Sequence, residues 1–349
     1  MGGHEIMCEN SNLSVSVCVV AYNEEKALPG LLEDIAAQDY PHNKIEVLLI
    51  DSCSTDKTKN IMLAFQKSHT DFWNVQVLDN RKKKQASGWN VAIKNYKGDL
   101  ISRIDAHSSI SSNFVTENVK LQNEGEYVTG GPRPCIVDQS NSWKETLLLA
   151  EASMFGSSIA KYRRKGEKVY VNSLFHGTYR REVFEKCGGF DEALGRTEDN
   201  AVHYRIRKNG YKICFSPDII SYQHTRNSLA KMLKQKYGNG YWVALTLKAC
   251  PKCLSIFHFV PLAFVFAIIG TGIIGVVGYP FLMVLMWSIY WILAIFMSIL
   301  AVKGKEKCVE QMALPFLFFF LHISYGIGSV AGLLKLPFWK YEQKNYLED

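Results

Sequence analysis

Several carboxylates in this sequence stand where polar residues directly follow an apolar run. Asp51 opens Asp51-Ser52-Cys53-Ser54, and a carboxylate at such a point can accept hydrogen bonds from a base or a ribose. Asp105-Ala106-His107 sets two metal-ligand types two residues apart. A carboxylate oxygen beside an imidazole nitrogen suits Mn²⁺ or another borderline divalent ion, whereas Mg²⁺ prefers oxygen alone. Glu198-Asp199 opens a helical pattern, where acidic side chains also complement the positive helix N-terminus. Taken singly, each group has an ordinary structural use as a turn or cap residue. Basic residues gather at Arg81-Lys82-Lys83-Lys84 and from Lys161 to Lys165. They read either as solvated faces or as attractors of phosphates and anionic headgroups.

The elements that must position these groups alternate. Val15–Ala21 and Ile45–Ile50 are β-branched apolar runs bounded by turns, and predict buried strands. Between them, Glu24–Ala37 carries Leu28, Leu31, Leu32 and Ile35 at helical spacing. Thr55–Lys67 predicts a second helix capped by Ser54 or Thr55. A strand at Val75–Leu78, a helix at Gln85–Tyr96 and a strand at Asp99–Ile104 follow. This alternation predicts parallel strands with helices on both faces, and ligands in such sheets bind at the carboxyl ends of the strands. The rule marks Tyr22-Asn23-Glu24, Asp51–Ser54 and Asp105–His107. Beyond residue 125 the pattern is mixed: a strand at Tyr127–Thr129, a helix near Ser142–Tyr162 and an extended run at Leu174–Tyr179. A helix at Thr197–Lys208 and strands at Tyr211–Phe215 and Ile219–Tyr222 come next. Gly-x-Gly-x-x-Gly is absent after the first strand and Gly-x-x-x-x-Gly-Lys-Ser/Thr is absent altogether, which disfavours dinucleotide and P-loop chemistry.

The last quarter of the 349 residues has a different character. Cys253 to Val302 is a run of 50 residues without Asp, Glu, Lys or Arg, and Gln311 to Leu334 is a second uncharged run. A hydrocarbon core about 30 Å thick takes roughly 20 apolar residues per helix. The long run therefore predicts two membrane helices, at 255–277 and 281–302, turning at Gly278-Tyr279-Pro280. The second run reads as a third span, although Pro315 and the glycines at 326, 328 and 332 would also suit a re-entrant segment. Val15–Ala21 is too short for a secretory signal, and Ile6 disfavours myristoylation at Gly2. Residues 1–252 are thus expected in the cytoplasm, in keeping with Lys248, Lys252, Lys303, Lys305 and Lys307 around the first two spans. A third span would carry Lys335, Lys340 and Lys344 to the other side, against that charge rule. Ser228–Lys248 predicts an amphipathic helix lying on the bilayer surface or packing on the soluble core. Residues 1–252 hold 34 basic and 28 acidic side chains, a net of +6 that does not point to nucleic acid. Of nine cysteines only Cys250 and Cys253 form a C-x-x-C, so free thiols are expected rather than a zinc site.

The order of these sites resembles the family 2 glycosyltransferases. Val17 to Glu25, then Asp51 to Thr58, then Gly98-Asp99 through Asp105-Ala106-His107 carry the first part of the resemblance. His176 to Phe184, Gly188-Gly189-Phe190-Asp191-Glu192 and Thr197-Glu198-Asp199 carry the second. Together they cover residues 15–245. Asp-Ala-His followed by an apolar tail is most similar to bacterial exopolysaccharide transferases of the succinoglycan type.

The resemblance implies an α/β GT-A fold, a Rossmann-like mixed sheet with helices on both faces, followed by a C-terminal transmembrane region. It implies that Ala21, Tyr22 and Glu24 line a nucleotide pocket, with Asp51 on the base, Lys84 near the nucleotide and Asp105 on the ribose or donor sugar. Asp105 and His107 would hold a divalent metal, Mn²⁺ or Mg²⁺, and Glu198 and Asp199 would form the catalytic acidic pair with Asp199 as base. Two positions depart from the pattern. Ser52 replaces a common Gly, and Gln235 is followed by Lys236-Tyr237-Gly238-Asn239 rather than the Gln-x-x-Arg-Trp of processive synthases. Addition of a single sugar is therefore expected.

The organisation that follows is a glycosyltransferase domain at 12–226, an interface helix at 227–252, a transmembrane region at 253–335 and a polar tail at 336–349. The expected activity is inverting transfer from a nucleotide-sugar, a UDP-sugar in the first instance, to a lipid-linked glycan on a polyprenyl diphosphate at the cell membrane. The alternatives are transfer directly onto polyprenyl phosphate and a non-catalytic nucleotide-sugar-binding membrane protein.

Overall fold

The computed structural model describes residues 13–137, 140–156, 167–224 and 228–342. The basic stretch from 161 to 165 lies outside them. The apolar runs form the strands their composition demands. β1 (Val15–Ala21) pairs in parallel with β2 (Ile45–Asp51) and with β4 (Leu100–Asp105), and β3 (Asn74–Asp79) extends the sheet beyond β2. β2 is buried along its whole length, as a strand covered on both faces is, and its one interior carboxylate, Glu46, is satisfied by Ser16 Oγ (2.5 Å), Asn74 Nδ2 (3.0 Å) and the Lys97 amide (2.7 Å). The sheet continues past β4 through β9 (Gly177–Arg180), β6 (Val128–Gly130), β10 (Ile213–Phe215) and β8 (Val169–Tyr170). β9 runs antiparallel to both β4 and β6, so the eight-stranded sheet is mixed. A small second sheet joins β5 (Ser108–Ile110), β11 (Ser221–His224) and β7 (Cys135–Ile136).

Helices cover both faces. On one, Leu28, Leu31 and Ile35 of α1 (Leu28–Ala36), Met62 and Phe65 of α2 (Thr58–Ser68) and Phe114 and Val115 of α4 (Phe114–Asn123) pack against β1 and β2. On the other lie Trp89 and Ala92 of α3 (Gln85–Asn95), Val183 and Phe184 of α6 (Arg181–Cys187) and Val202 and Ile206 of α7 (Glu198–Lys208). Each such fully buried aliphatic side chain contributes roughly 1.5–3 kcal/mol.

Three helix boundaries differ from expectation by more than a residue, the first two for a local reason. α1 begins at Leu28 because the Glu24 amide donates to Thr58 Oγ1 (2.8 Å) and the Glu25 amide to Asp56 Oδ2 (3.2 Å). α2 begins at Thr58, and neither Ser54 nor Thr55 caps it. Ser54 Oγ instead accepts from the Asn23 amide (3.0 Å), and the Thr55 amide donates to Asn23 Oδ1 (2.8 Å). α5 (Ser142–Ala152) stops ten residues short of Tyr162, within a stretch whose end lies outside the described residues.

α8 (Leu229–Ala249) is followed by three segments long and apolar enough to cross a membrane: Ile256–Val276, Phe281–Val302 and Val309–Phe338. Their helical bodies are α9 (Val260–Val276), α10 (Phe281–Val302) and α11 (Leu314–Lys335). The α9–α10 turn is made by Gly278 at φ +108°, a conformation that favours glycine. Pro315 falls in the first turn of α11, where a missing amide proton costs nothing, and α11 continues unbroken. A third apolar core, containing Leu147, Ala150, Met232, Leu314, Leu317 and Phe318, joins α5, α8 and α11.

Candidate active site

β4 is the spine of the site. Residues two apart on a strand share a face, so Arg103 and Asp105 point the same way. Asp105 is buried, and its Oδ1 accepts from Gln85 Nε2 (2.9 Å) at the start of α3. Its amide donates to His176 Nε2 (3.4 Å), whose ring lies 3.9 Å from Oδ2. Burial alone would raise the Asp105 pKa, but His176, His107 and Arg103 outweigh it and hold the carboxyl well below the usual range. Burial in turn pushes His176 down to about 4, so the ring is neutral near pH 7. His107 Nδ1 lies 3.2 Å from Glu24 Oε1, which links the end of β4 to the end of β1.

Arg103 is buried, and its Nη1 makes an ion pair with Asp199 Oδ1 while its Nη2 donates to the Phe175 carbonyl. The guanidinium carbon sits 5.2 Å from the ring centroids of both Trp89 and Phe190. Burial opposes its charge, but Asp199 and the surrounding groups keep it protonated. Glu198, the first residue of α7, is buried beside this pair, and its Oε2 has no hydrogen-bond partner among the described residues. Burial, then the neighbouring Asp199, pushes the Glu198 carboxyl up to about 8.

The expected donor residues lie along the ends of β1 and β2. Ala21 is buried and its carbonyl accepts from the Ser52 amide (2.9 Å), while Tyr22 is half exposed. Asp51 is buried and accepts from the Ser54 amide at 3.2 and 3.3 Å, which closes the turn. In that turn Cys53, rather than Ser52, takes the left-handed conformation (φ +58°), and Ser52 Oγ accepts from Asn80 Nδ2 (3.0 Å). Lys84 is held in a way its sequence position did not indicate: Nζ donates to the Glu192 carbonyl (2.9 Å). Lys82 Nζ reaches Glu192 Oε2 (2.8 Å), and Asn90 Nδ2 donates to Phe190 O (2.8 Å) and Glu192 Oε1 (3.0 Å). Part of the basic run thus clamps the Gly188–Glu192 turn.

One cavity of about 1790 Å³ gathers Asp105, His107, Glu198 and Asp199. Ala21, Tyr22, Glu24, Asp51 and Lys84 are not in its lining, and Glu24 connects to it through His107. From the four polar groups the cavity extends to Phe264 of α9 and to Met286, Ile289 and Leu293 of α10. Among the described residues no three His, Cys, Asp or Glu side chains converge as a metal cage. Asp105 and His107, a carboxylate and an imidazole lining one cavity, are of the right chemistry for a divalent ion but supply only two ligands, so a bound ion would need others. Three residues of the site went unassigned in the sequence: Arg103, Gln85 and His176. Arg103 left one signal, a lone cation inside the apolar run Leu100–Ile104.

Residues 16–188 match the model of the family described as Glycosyl transferase family 2. The chain is 26% identical over 327 residues to the Methanococcus voltae dolichyl N-acetyl-α-D-glucosaminyl phosphate 3-β-D-2,3-diacetamido-2,3-dideoxy-β-D-glucuronosyltransferase, covering 92% of this chain and 97% of that protein. It is 26% identical over 237 residues to the succinoglycan biosynthesis protein ExoA of Rhizobium meliloti, covering 66% and 69%. A mannosyltransferase from Pyrobaculum calidifontis, solved with GDP-Man and Mn²⁺, superposes with a TM-score of 0.61 over 91% of this chain and 87% of that one. At 18% identity that likeness establishes the GT-A architecture alone. With the strand-end carboxylates, the acidic pair on α7 and these matches in hand, the chain is a glycosyltransferase, and its residues 16–188 form a glycosyl transferase family 2 domain.

Proposed function

We propose that this enzyme moves one sugar, with inversion, from a nucleotide-sugar to a lipid-linked glycan at a membrane surface. The observation that carries this reading is the lining of the cavity. Its polar end holds the metal-ligand pair and the acidic pair, and its other end is walled by apolar side chains of α9 and α10. Such a cavity suits an acceptor with a polar glycan on a hydrocarbon carrier. The relatives named above, one of which acts on a dolichyl-phosphate sugar, support it.

In this reading the donor's nucleotide lies at the ends of β1 and β2, against Tyr22, Glu24 and Asp51. A divalent ion held by Asp105 and His107 supplies positive charge at the diphosphate when bound. Arg103 pairs with Asp199 Oδ1, and Asp199 lines the cavity, so in this reading its second oxygen receives the acceptor hydroxyl. Asp199 takes the hydroxyl proton as the acceptor oxygen bonds to the anomeric carbon, and the bond from that carbon to the diphosphate oxygen breaks with its electron pair. Burial and the neighbouring Asp199 favour the protonated form of Glu198, which adds no second negative charge beside the base.

The test is turnover of UDP-, GDP- and TDP-sugars by the detergent-purified protein with Mn²⁺ or Mg²⁺, on lipid-linked and soluble acceptors. A product carrying one new glycosidic bond on the lipid-linked glycan, absent with Asp199→Asn, is expected. Equal rates on soluble acceptors would remove the lipid-linked reading. A sugar phosphodiester product would establish transfer onto the polyprenyl phosphate instead.

A further inference from the structure

α8 and α11 run parallel with a constant offset. Ser324 Oγ donates to the Leu233 carbonyl (2.8 Å) and Lys248 Nζ to the Trp339 carbonyl (2.7 Å), both pairs 91 residues apart. Between these points, glycines let the two backbones touch. A Cβ on Gly328 would fall 2.1 Å from Tyr237 O, one on Gly332 2.4 Å from Tyr241 O, and one on Gly240 2.0 Å from Tyr325 O. The two helices thus share one direction along most of their length.

α8 lies along the catalytic domain. Met232 near its start packs with Leu147 and Ala150 of α5, and Thr246 near its end hydrogen-bonds Thr197 at the start of α7. α11 is tied to the same body at both ends. Leu314, Leu317 and Phe318 share that α5 core, and His322 Nε2 donates to the Phe155 carbonyl (2.6 Å). Past its C-terminus, Trp339 meets the Trp242 ring, and Tyr341 OH donates to Asp191 Oδ2 (2.7 Å). The 22 residues of α11 measure about 33 Å, enough to span a bilayer. A helix with both ends fastened to one soluble domain cannot deliver one of them to the opposite face.

We infer that α11 does not cross the membrane: the described residues cross twice, through the α9–α10 hairpin, and α11 lies in the lipid-facing surface on the catalytic domain's side. Phe316, Phe320, Ile327 and Leu334 form one exposed stripe along α11, and its occupant is the bilayer that also covers the exposed faces of α9 and α10. Charge provides an independent argument. With two crossings, Lys248, Lys252, Lys303, Lys305, Lys307, Lys335 and Lys340 all share one side, while Gly278-Tyr279-Pro280, alone on the other, carries no charge. The conflict that a third span creates with the positive-inside rule disappears.

The inference rests on α9 and α10 being membrane helices, and the experiment separates the two. A sequence-specific protease site is placed after Asp349, in the 303–307 loop, or at the 278–280 turn of the full-length protein. Each variant is assayed for nucleotide binding and then treated in sealed right-side-out and inside-out vesicles. The sites after Asp349 and at 303–307 should be cut in the preparation in which the catalytic domain is digested, and the turn only in the other. Cleavage after Asp349 only in the opposite preparation would overturn the inference. Cleavage of all three sites on the catalytic side would instead overturn the membrane reading beneath it. The site after Asp349 lies beyond every described contact, so its result stands even if the turn insertion fails to fold.

Discussion

The two halves of the active site are assembled at different ranges along the chain. In the half proposed for the donor most bonds join neighbours: Asn23 meets Ser54 across 31 residues, Glu24 meets Thr58 across 34, and Ser52 meets Asn80 across 28, with His107 to Glu24 across 83 the exception. The half that carries the acidic pair is held by bonds three times as long in sequence. Arg103 reaches Asp199 across 96 residues, Asn90 reaches Phe190 across 100, and Lys82 reaches Glu192 across 110. Short-range turns fold with their strands, whereas the acidic pair takes its place only when α3, β4 and α7 have packed together. The donor half should therefore survive lesions that disable the acidic half.

The largest effect expected from that contrast is at Asp199. Asp199→Asn should lower kcat by about 10²–10⁴-fold, the usual contribution of a general base, and leave donor affinity intact by calorimetric titration. Near wild-type turnover would remove Asp199 from its role.

Arg103→Gln comes next. Removing one partner of a buried ion pair costs about 3–5 kcal/mol, to be read from denaturant unfolding in detergent. Arg103 is one of the groups that hold the Glu198 pKa down, so its loss should move the Glu198-dependent feature of the kcat/KM pH profile to higher pH, and Arg103→Lys should recover part of both losses. An unmoved pH profile would reduce Arg103 to a packing residue.

Asp105→Ala tests the other half. Loss of a charged hydrogen-bonding or ligating group typically costs about 1.5–3 kcal/mol, so metal-dependent nucleotide affinity should fall by about 10–100-fold. The folding midpoint should move less than in Arg103→Gln; the reverse ranking would contradict the contrast.

The smallest effect is a pH dependence. Glu198 binds its proton more tightly in the folded protein, with its pKa raised from 4.5 to about 8. Its contribution to stability is therefore complete below the unfolded value and is lost as pH rises through the folded one. Glu198→Gln should flatten the decline of the melting temperature between pH 5 and pH 9, measured by differential scanning fluorimetry at about half-unit steps. An unchanged slope would mean that Glu198 is ionised throughout.

This contrast also explains what could be read from the sequence. Strand ends such as Asp51 and Asp105 were legible because an apolar β-branched run followed by a polar turn is a local signal. The two uncharged runs were equally plain. Ser54 and Thr55 looked like helix caps but are taken up by Asn23, a choice made by a neighbouring loop rather than by the helix. Lys84 was expected near the nucleotide, and its bond to the carbonyl of Glu192, 108 residues away, left no local trace in the sequence. The pairing of Arg103 with Asp199 had no local trace beyond a cation within an apolar strand. Composition marks α11 as apolar but carries no information on where its ends are fastened.

The glycine seam between α8 and α11 has a consequence for the order of synthesis. Leu233 leaves the ribosome 91 residues before Ser324, a delay of roughly 5–18 s at about 5–20 residues per second. During that interval the α9–α10 hairpin must be made and placed, while one side of α8 stands without the helix that will cover it. A chain ending at residue 252 would retain Asp105, His107, Glu198 and Asp199, yet it would keep that side of α8 bare permanently.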